Sequence, residues 1–314
     1  MDSLAGLLDG PRARGAFVLK TMLDPPWSMR ITDEAPLTLL ALTRGSAVVG
    51  LDDAPDLHLG RGDVAVVRGN QHYTVADTAT TDPQVVVLPG GACVAPDGSD
   101  VKGMSDLGVR TWGNSLDGET TMLVGTYQLD SEVSRRLLAA LPSVIRLAAT
   151  DPTTDQVSPL VGYLETEMAR DEPGQESVLD RLLDLMLIAV LRTWFARPEA
   201  SAPGWYAAHS DPVVGPALQL MHHHPDRQWT IDLLARETGV SRAALARRFT
   251  ERVGQPPMTF LTEWRLTLAA DLLREPGATV GSVARQVGYS SAFALSTAFK
   301  RVRGVSPTRF RESA

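Results

Sequence analysis

Apolar residues are spaced in two different ways along the 314-residue chain. Up to about residue 105 they come in short runs, LTLLAL, SAVVGL, LHLG, DVAVV and QVVVL, separated by Gly, Asp, Pro and Asn. Many short strands with that punctuation predict a small antiparallel barrel or sandwich. From 106 to 200 the spacing becomes helical. Ser131 to Leu141 places Val133, Leu137, Leu138 and Leu141 on one side and stops at Pro142, and helices follow over Val157 to Arg170 and Glu176 to Arg197. The last of these, containing VLDRLLDLMLIAVLRTWF, is apolar nearly all round, so another element must cover it. Packing on the strands is one explanation, and pairing with the same helix of a second subunit around Leu182 to Leu191 is the other. Residues 201–210 read as a linker broken by Pro203 and Gly204, and Asp211-Pro212 opens a helical domain over 211–314 as N-cap and first helical residue.

That last domain contains one pattern twice. WTIDLLARETGVSRAALARRFTERVGQPPMTF is followed by TVGSVARQVGYSSAFALSTAFKRVRGVSPTRF. Ile231, Leu234, Ala235, Gly239 and Ser241 return 49 positions later as Val280, Val283, Ala284, Gly288 and Ser290. Phe249, Gly254, Pro257 and Phe260 return 50 positions later as Phe299, Gly304, Pro307 and Phe310, which places one added residue early in the second helix of the second copy. A repeat that persists through a register change is a structural unit. Each copy reads as a helix-turn-helix: a short helix (Ile231 to Glu237 in the first), a glycine where the turn needs a left-handed backbone, and a serine to cap the next helix. Leu245 with Phe249, and Leu295 with Phe299, face inward. Ser241, Arg242, Ala243, Ala246, Arg247 and Thr250 in the first copy, and Ser290, Ser291, Phe293, Ala294, Thr297, Lys300 and Arg301 in the second, are the small, polar or cationic residues expected to meet DNA. A reading helix needs such an outer side to enter a major groove about 12 Å wide.

VARQVGYSS followed by LSTAFKRVRGVSPTRFR, the linker segment MTFLTEWRLTLAADLLRE with Arg265, Ala270, Leu272 and Leu273, and SRAALARRF with Ser241, Leu245, Arg247 and Phe249 together resemble the DNA-binding domain of the AraC/XylS transcription regulators. Ala292 departs from the family pattern, in which an acidic or polar residue is common there; this bears on base preference, not on fold. The resemblance implies double-stranded promoter DNA as partner, contact with RNA polymerase and a homodimer. The linker helix from Met258 to Arg274 would span about 25 Å, against about 34 Å between successive major-groove faces. A rigid linker therefore favours DNA bent toward the protein.

Upstream, LHLGRGDVAVVRGNQHYTV, with Gly62-Asp63 at a turn and Gly69 and His72 beyond, is similar to the second half of a cupin barrel. The resemblance implies a cupin-like β-barrel sensing domain over 1–105, with the remainder of the sensing domain and a helical assembly segment over 106–200. The expected fold class is thus α+β: a cupin-like antiparallel β-barrel with a helical segment, then an all-α tandem helix-turn-helix domain. Metal-binding cupins use a His-x-His pair, a Glu and a later His. Here His58 and His72 stand alone in the first 200 residues, so no metal and no cofactor are expected. An unidentified small-molecule effector is the expected occupant, with Trp27, His58, His72 and Tyr73 as candidate contacts near a barrel mouth.

Charge sharpens the division. The net charge is −7 overall, but residues 211–314 hold 14 Lys/Arg against 9 Asp/Glu, a net of +5, and residues 1–210 carry −12. The basic part is where phosphates would be met. MDSLAGLLDGPR lacks a basic start before an apolar stretch, and no run is long enough to span a bilayer, so no membrane partner and a cytoplasmic location are expected. Cys93, in LPGGACVAPDG, is the single cysteine. It is a candidate redox site weighed against an inert small hydrophobe. His222, His223 and His224 diverge by about 100° per residue on a helix and do not converge on one ion. Before Pro225, at a helix end, they are expected to favour protonation.

The reading that follows is a sequence-specific transcription regulator, not an enzyme, with a ligand-sensing N-terminal domain. A cupin-type metal enzyme fused to a DNA-binding domain, and a ligand-independent DNA binder with a vestigial barrel, are the alternatives.

Overall fold

The computed structural model describes residues 18–52, 54–69, 72–127, 131–197 and 202–312. The N-terminal MDSLAGLLDGPR, Asn70 and Gln71 of the cupin-like stretch, Ser201 of the linker and the Leu137 side chain lie outside the described residues. The chain forms two compact units. One, the sheet unit, holds described residues 18–127 and 141–197; the other, the helical unit, holds 131–140 and 202–312.

Among the described residues thirteen strands build the sheet unit: β1 Val18–Leu23, β2 Ser28–Ile31, β3 Leu37–Arg44, β4 Ser46–Leu51, β5 Ala54–Gly60, β6 Val64–Arg68, β7 Tyr73–Ala76, β8 Val85–Val87, β9 Cys93–Val94, β10 Ser105–Gly108, β11 Thr111–Gly113, β12 Thr120–Tyr127 and β13 Val144–Leu147. They form a seven-stranded sheet in the order β10-β11-β1-β12-β3-β6-β13 and a six-stranded sheet in the order β5-β4-β7-β2-β8-β9. Strand structure therefore runs well past residue 105, the expected end of the barrel. The expected antiparallel barrel is found as two mixed sheets that do not close on each other among the described residues. β1–β11 and β2–β8 pair in parallel, and among the described residues no ladder joins the two sheets. The strands toward one end, β9 to β11, are two to four residues long and interrupted by left-handed glycines such as Gly91 and Gly108, too few ladder bonds to continue a sheet around.

LTLLAL and VAVV read as continuous apolar runs because the middle of β3 and β6 is buried on both faces. One face meets the core between the sheets, where Leu40, Leu42, Val49, Ala65, Val75 and Met122 cluster. The other side is covered by helix. After α1 (Glu132–Ala139), which belongs to the helical unit, come α2 (Ser158–Met168) and α3 (Gln175–Phe195). Tyr127 Oη donates to the Leu183 carbonyl of α3 at 2.9 Å, and Leu183 fills the space above Gly125. Leu182, Leu183, Met186, Leu187, Val190 and Leu191 are thus covered within one subunit, which is the packing explanation for the apolar helix. Val178, Leu185 and Tyr163 of α2 and α3 stay exposed.

The cupin-like turn is built by Gly62 and Asp63. Gly62 has φ +85°. The Asp63 carboxylate accepts from the Gly60 and Ala149 amides (3.1 and 2.8 Å) and from Arg146 (2.8 Å), tying the β5–β6 turn to the segment after β13. Burial opposes its ionisation, but these donors outweigh it and hold the carboxyl below its ordinary value.

The helical unit continues with α4 (Gly204–Ala207), α5 (Val214–His223), α6 (Ile231–Glu237), α7 (Arg242–Val253), α8 (Pro257–Leu272), α9 (Val280–Gln286), α10 (Ala292–Arg303) and α11 (Pro307–Glu312). α5 begins at Val214 rather than at Pro212. Asp211 still serves its start, accepting from the Val213 and Val214 amides at 3.0 Å each while its second oxygen pairs with Arg248 at 2.9 Å. His222 corrects the expectation of a protonated helix end. It is buried against Trp264 and Phe260, with ring centroids 4.7 and 5.6 Å away, and burial drives its pKa down to about 3. Its imidazole is neutral because the linker helix, not solvent, surrounds it.

Candidate DNA-reading surface and ligand cavity

The two helix-turn-helix units, α6–α7 and α9–α10, are built alike. Thr230 caps α6 through Leu233 N–H, and Thr279 caps α9 through Ser282 N–H, both at 3.1 Å. α6 ends with Gly239 at φ +72°, its N–H donating to Arg236 and that of Val240 to Ala235. α9 ends the same way at Gly288, φ +81°, with Tyr289 N–H donating to Ala284. These paired bonds satisfy the last carbonyls and turn the chain. Ser241 caps α7 and Ser291 caps α10, accepting from Ala244 and Ala294 at 3.2 and 3.1 Å. The added residue of the second copy is therefore Ser290 in the turn, not a residue within the helix. A helix keeps its length and its inward pair only if the insertion is absorbed before its cap.

Leu245 and Phe249, and Leu295 and Phe299, are fully buried. The opposite side is open. Arg242, Ala243, Arg247 and Thr250 are exposed and Ala246 is half-buried; in the second unit Ser290, Ser291, Thr297, Lys300 and Arg301 are exposed and Ala294 is half-buried. Phe293 stands out at 80% exposure. Arg242 rests 3.4 Å from Asp232 and Arg247 3.5 Å from Glu251, surface pairs worth little that phosphate or a base edge can replace.

α8 holds the two units together. In the sequence Arg265 is one position of the linker pattern, with no contact implied by it. It donates from Nε to the Pro225 carbonyl and from Nη2 to the Arg227 carbonyl, both at 2.7 Å, ahead of the first unit. Gln228 Nε2 donates to the Gly288 carbonyl at 2.9 Å, in the turn of the second. A Cβ on Gly288 would lie 2.6 Å from the Pro225 oxygen. This glycine is needed for its backbone and for its lack of a side chain.

In the sheet unit a cavity of about 690 Å³ opens between the sheets. Met29, Ile31, Leu40, Met122, Val124 and Trp112 supply much of its apolar wall, and Asp33, Arg110 and Tyr73 are among its polar groups. A smaller recess of about 280 Å³ shares Asp33, Thr38 and Tyr73 and adds His72. The four expected ligand contacts are thus separated. Tyr73 lines both spaces and exposed His72 lines the smaller. Trp27, one residue ahead of β2, is fully buried in the core cluster, not at a mouth. His58 is exposed on the edge strand β5 and lines neither space. The alternation Met29/Ile31 and Met122/Val124/Thr126 is the signal in the sequence for this wall, and β12 carries its second half. Cys93 lines the larger cavity with its side chain exposed, and partial desolvation there pushes its thiol up, which disfavours the thiolate. Among the described residues no three His, Cys, Asp or Glu side chains gather where a metal could sit, so the cupin metal donor set is not matched. No described helix is long and apolar enough to cross a membrane.

Two helix-turn-helix units on one connecting helix, each with an open polar and cationic side, define a DNA-binding transcription regulator. Residues 2–196 match a family described as Cupin, and residues 234–313 match one described as Helix-turn-helix domain. The chain is 31% identical to a putative AraC-like transcription regulator of Streptomyces lividans, over 99% of this chain and 98% of that one. It is 26% identical to the HTH-type transcriptional regulator AlkR of Acinetobacter baylyi, over the whole of both chains. The solved DNA-binding domain of the global transcriptional factor AdpA, in complex with a target DNA, is 31% identical over 33% of this chain and 93% of that one, with a TM-score of 0.31. The chain belongs to the AraC-like transcription regulators, with a cupin domain ahead of its DNA-binding domain.

Proposed function

We propose that this regulator is ligand-responsive: a small, largely apolar molecule with one or two polar groups occupies the cavity between the sheets and alters the binding of α7 and α10 to promoter DNA. The carrying observation is the cavity itself. At about 690 Å³ it falls within the range of small-molecule sites, and apolar walls with a few polar groups are their usual lining. Ser241 to Thr250 and Ser290 to Arg301 supply the base and phosphate contacts in this reading, Arg242 and Arg247 for the first segment of the site and Phe293, Lys300 and Arg301 for the second. Homodimer assembly through the exposed Val178, Leu185 and Tyr163 belongs to the same proposal, as does contact with RNA polymerase at the promoter.

The test begins with DNA selected from genomic fragments by the full-length protein, because the neighbouring genes point to effector chemistry. Candidate effectors are then scored by thermal shift, which rises as the ligand exceeds its dissociation constant, and by operator affinity. Binding that shifts melting and operator affinity in the wild type but neither in Met122→Trp supports the reading. A panel that leaves both unchanged favours a ligand-independent DNA binder. Turnover of a compound by the purified protein would revive the enzyme alternative.

A further inference from the structure

Helix α1 lies in sequence between two strands of the sheet unit, yet it packs within the helical unit, on the linker helix α8. Its eight residues are too few to hold a helix alone in water. Its first free amides are satisfied from outside: the Asp271 carboxylate of α8 accepts from Glu132 N–H at 2.6 Å and Val133 N–H at 3.2 Å. Glu132 is itself 7% exposed. One of its oxygens meets Arg274, at the end of the linker, at 3.1 Å and Arg135 at 2.6 Å. The other accepts from Arg303, in the last turn of the second reading helix, at 2.7 Å. One turn on, the Arg136 guanidinium sits 5.1 Å from the Phe260 ring centroid and 3.7 Å from Glu263, both on α8. Burial opposes ionisation of Glu132, but three guanidiniums hold its carboxyl below the ordinary value, so it stays charged.

This cluster joins three pieces of chain. Arg274 fixes where the linker ends, Arg303 fixes the far end of α10, and Glu132 belongs to neither. Ser291, Phe293, Thr297, Lys300 and Arg301 remain exposed, so α1 supports the second reading unit without covering its outer side. The first unit has no carboxylate from outside 201–314 in a comparable place among the described contacts; its Arg248 and Arg252 pair with Asp211. In sequence α1 is the next described element after β12, whose Met122, Val124 and Thr126 line the cavity.

We infer that α1 is a brace: Glu132 and Asp271 are positioning residues that hold the linker end and the second reading helix in the pose that binds DNA, and β12 is the segment through which the cavity acts on that brace. The second clause rests on the ligand-responsive reading; the first does not. A buried carboxylate bridging two guanidiniums is strong only while all partners are in place, which makes such a joint sensitive to a small shift of its backbone.

The experiment uses the full chain and a duplex selected by it from random sequence, read by equilibrium binding and hydroxyl-radical footprinting. Glu132→Gln should weaken binding about tenfold and lose protection only over the segment facing the second unit. Charge reversal Glu132→Arg should lose the same protection, and adding Arg303→Glu should restore it. Wild-type affinity and footprint in Glu132→Gln would overturn the brace, as would loss spread evenly over both segments. If Glu132→Gln does not fold, the exchanged pair decides: a recovered second-segment footprint supports the brace and its absence overturns it. Val124→Trp, which fills the cavity from β12, needs no effector. A change in operator affinity in the wild-type background that disappears in Glu132→Gln supports the β12 route. The same change in both backgrounds, or none in either, removes that route while leaving the brace and the ligand-responsive reading to their own tests.

Discussion

Arg242 and Arg247 illustrate what a single exposed side chain can carry. Each is held loosely by one carboxylate on the same unit, and neither contributes to the core. Replacing the one that reaches a base edge by Ala should cost about 1–3 kcal/mol and relax preference at one position. Quantitative binding to a library of single-base variants checks this; two Ala variants that both keep wild-type selectivity would show that α7 does not read sequence. His222 gives the opposite case, a polar residue whose role is internal. Its folded pKa near 3 lies below the ordinary value near 6.5, so between those limits the unfolded chain binds the extra proton. Its contribution to stability is present above about pH 6.5 and falls as pH drops toward 3, by up to about 1.4 kcal/mol per unit. His222→Leu should flatten that part of the pH dependence, measured as the difference between urea unfolding curves of variant and wild type from pH 7 to pH 4.5. An unchanged difference across that range would mean that the imidazole is not buried neutral.

At the scale of elements, the two turns separate backbone need from packing need. Gly239 and Gly288 share a left-handed conformation, but a Cβ on Gly239 would meet open space. Gly239→Ala should therefore lower stability by about 1–2 kcal/mol, the conformational term alone. Gly288→Ala should lower it by a further 1–3 kcal/mol or so, since the Pro225 and Asp226 carbonyls would have to move. Equal melting shifts for the two variants would contradict the close approach. The helix-turn-helix elements were legible in the sequence because Gly, Ser and paired apolar residues act within one or two turns. β12 was not. TTMLVGTY carries no strong turn signal of its own, and its central place between β1 and β3 depends on strands about 80 and 100 residues away.

For the whole molecule, charge is divided as the functions are. With +5 in residues 211–314 and −12 in the rest, DNA affinity should fall steeply with salt, and Lys300→Ala or Arg301→Ala should each reduce the slope of log affinity against log salt concentration by about 1 if it meets a phosphate. Slopes unchanged in both variants would move the phosphate contacts elsewhere. In the same way, Leu185→Asp should leave melting intact, because its side chain is half exposed, and shift sedimentation toward monomer if α3 meets a second copy. A subunit that sediments as a monomer before the substitution would remove that contact.

The sequence by itself determined the tandem reading units, the Ser241 cap, the inward pairs, the acidic and basic division, and the cupin-like turn at Gly62-Asp63. Each rests on spacing or on a residue type with a local backbone consequence. Tertiary structure decided the rest. It buried Trp27 in the core and left His58 on an edge, because which face of a strand is covered depends on the opposite sheet. It made His222 a neutral core residue through Phe260 and Trp264, residues 38 and 42 positions further on. And it took α1 out of the company of its sequence neighbours, because Asp271 accepts from its first amides, and Arg274 and Arg303 offer the Glu132 carboxylate the only countercharges, among its described contacts beyond its own helix, that let it be buried.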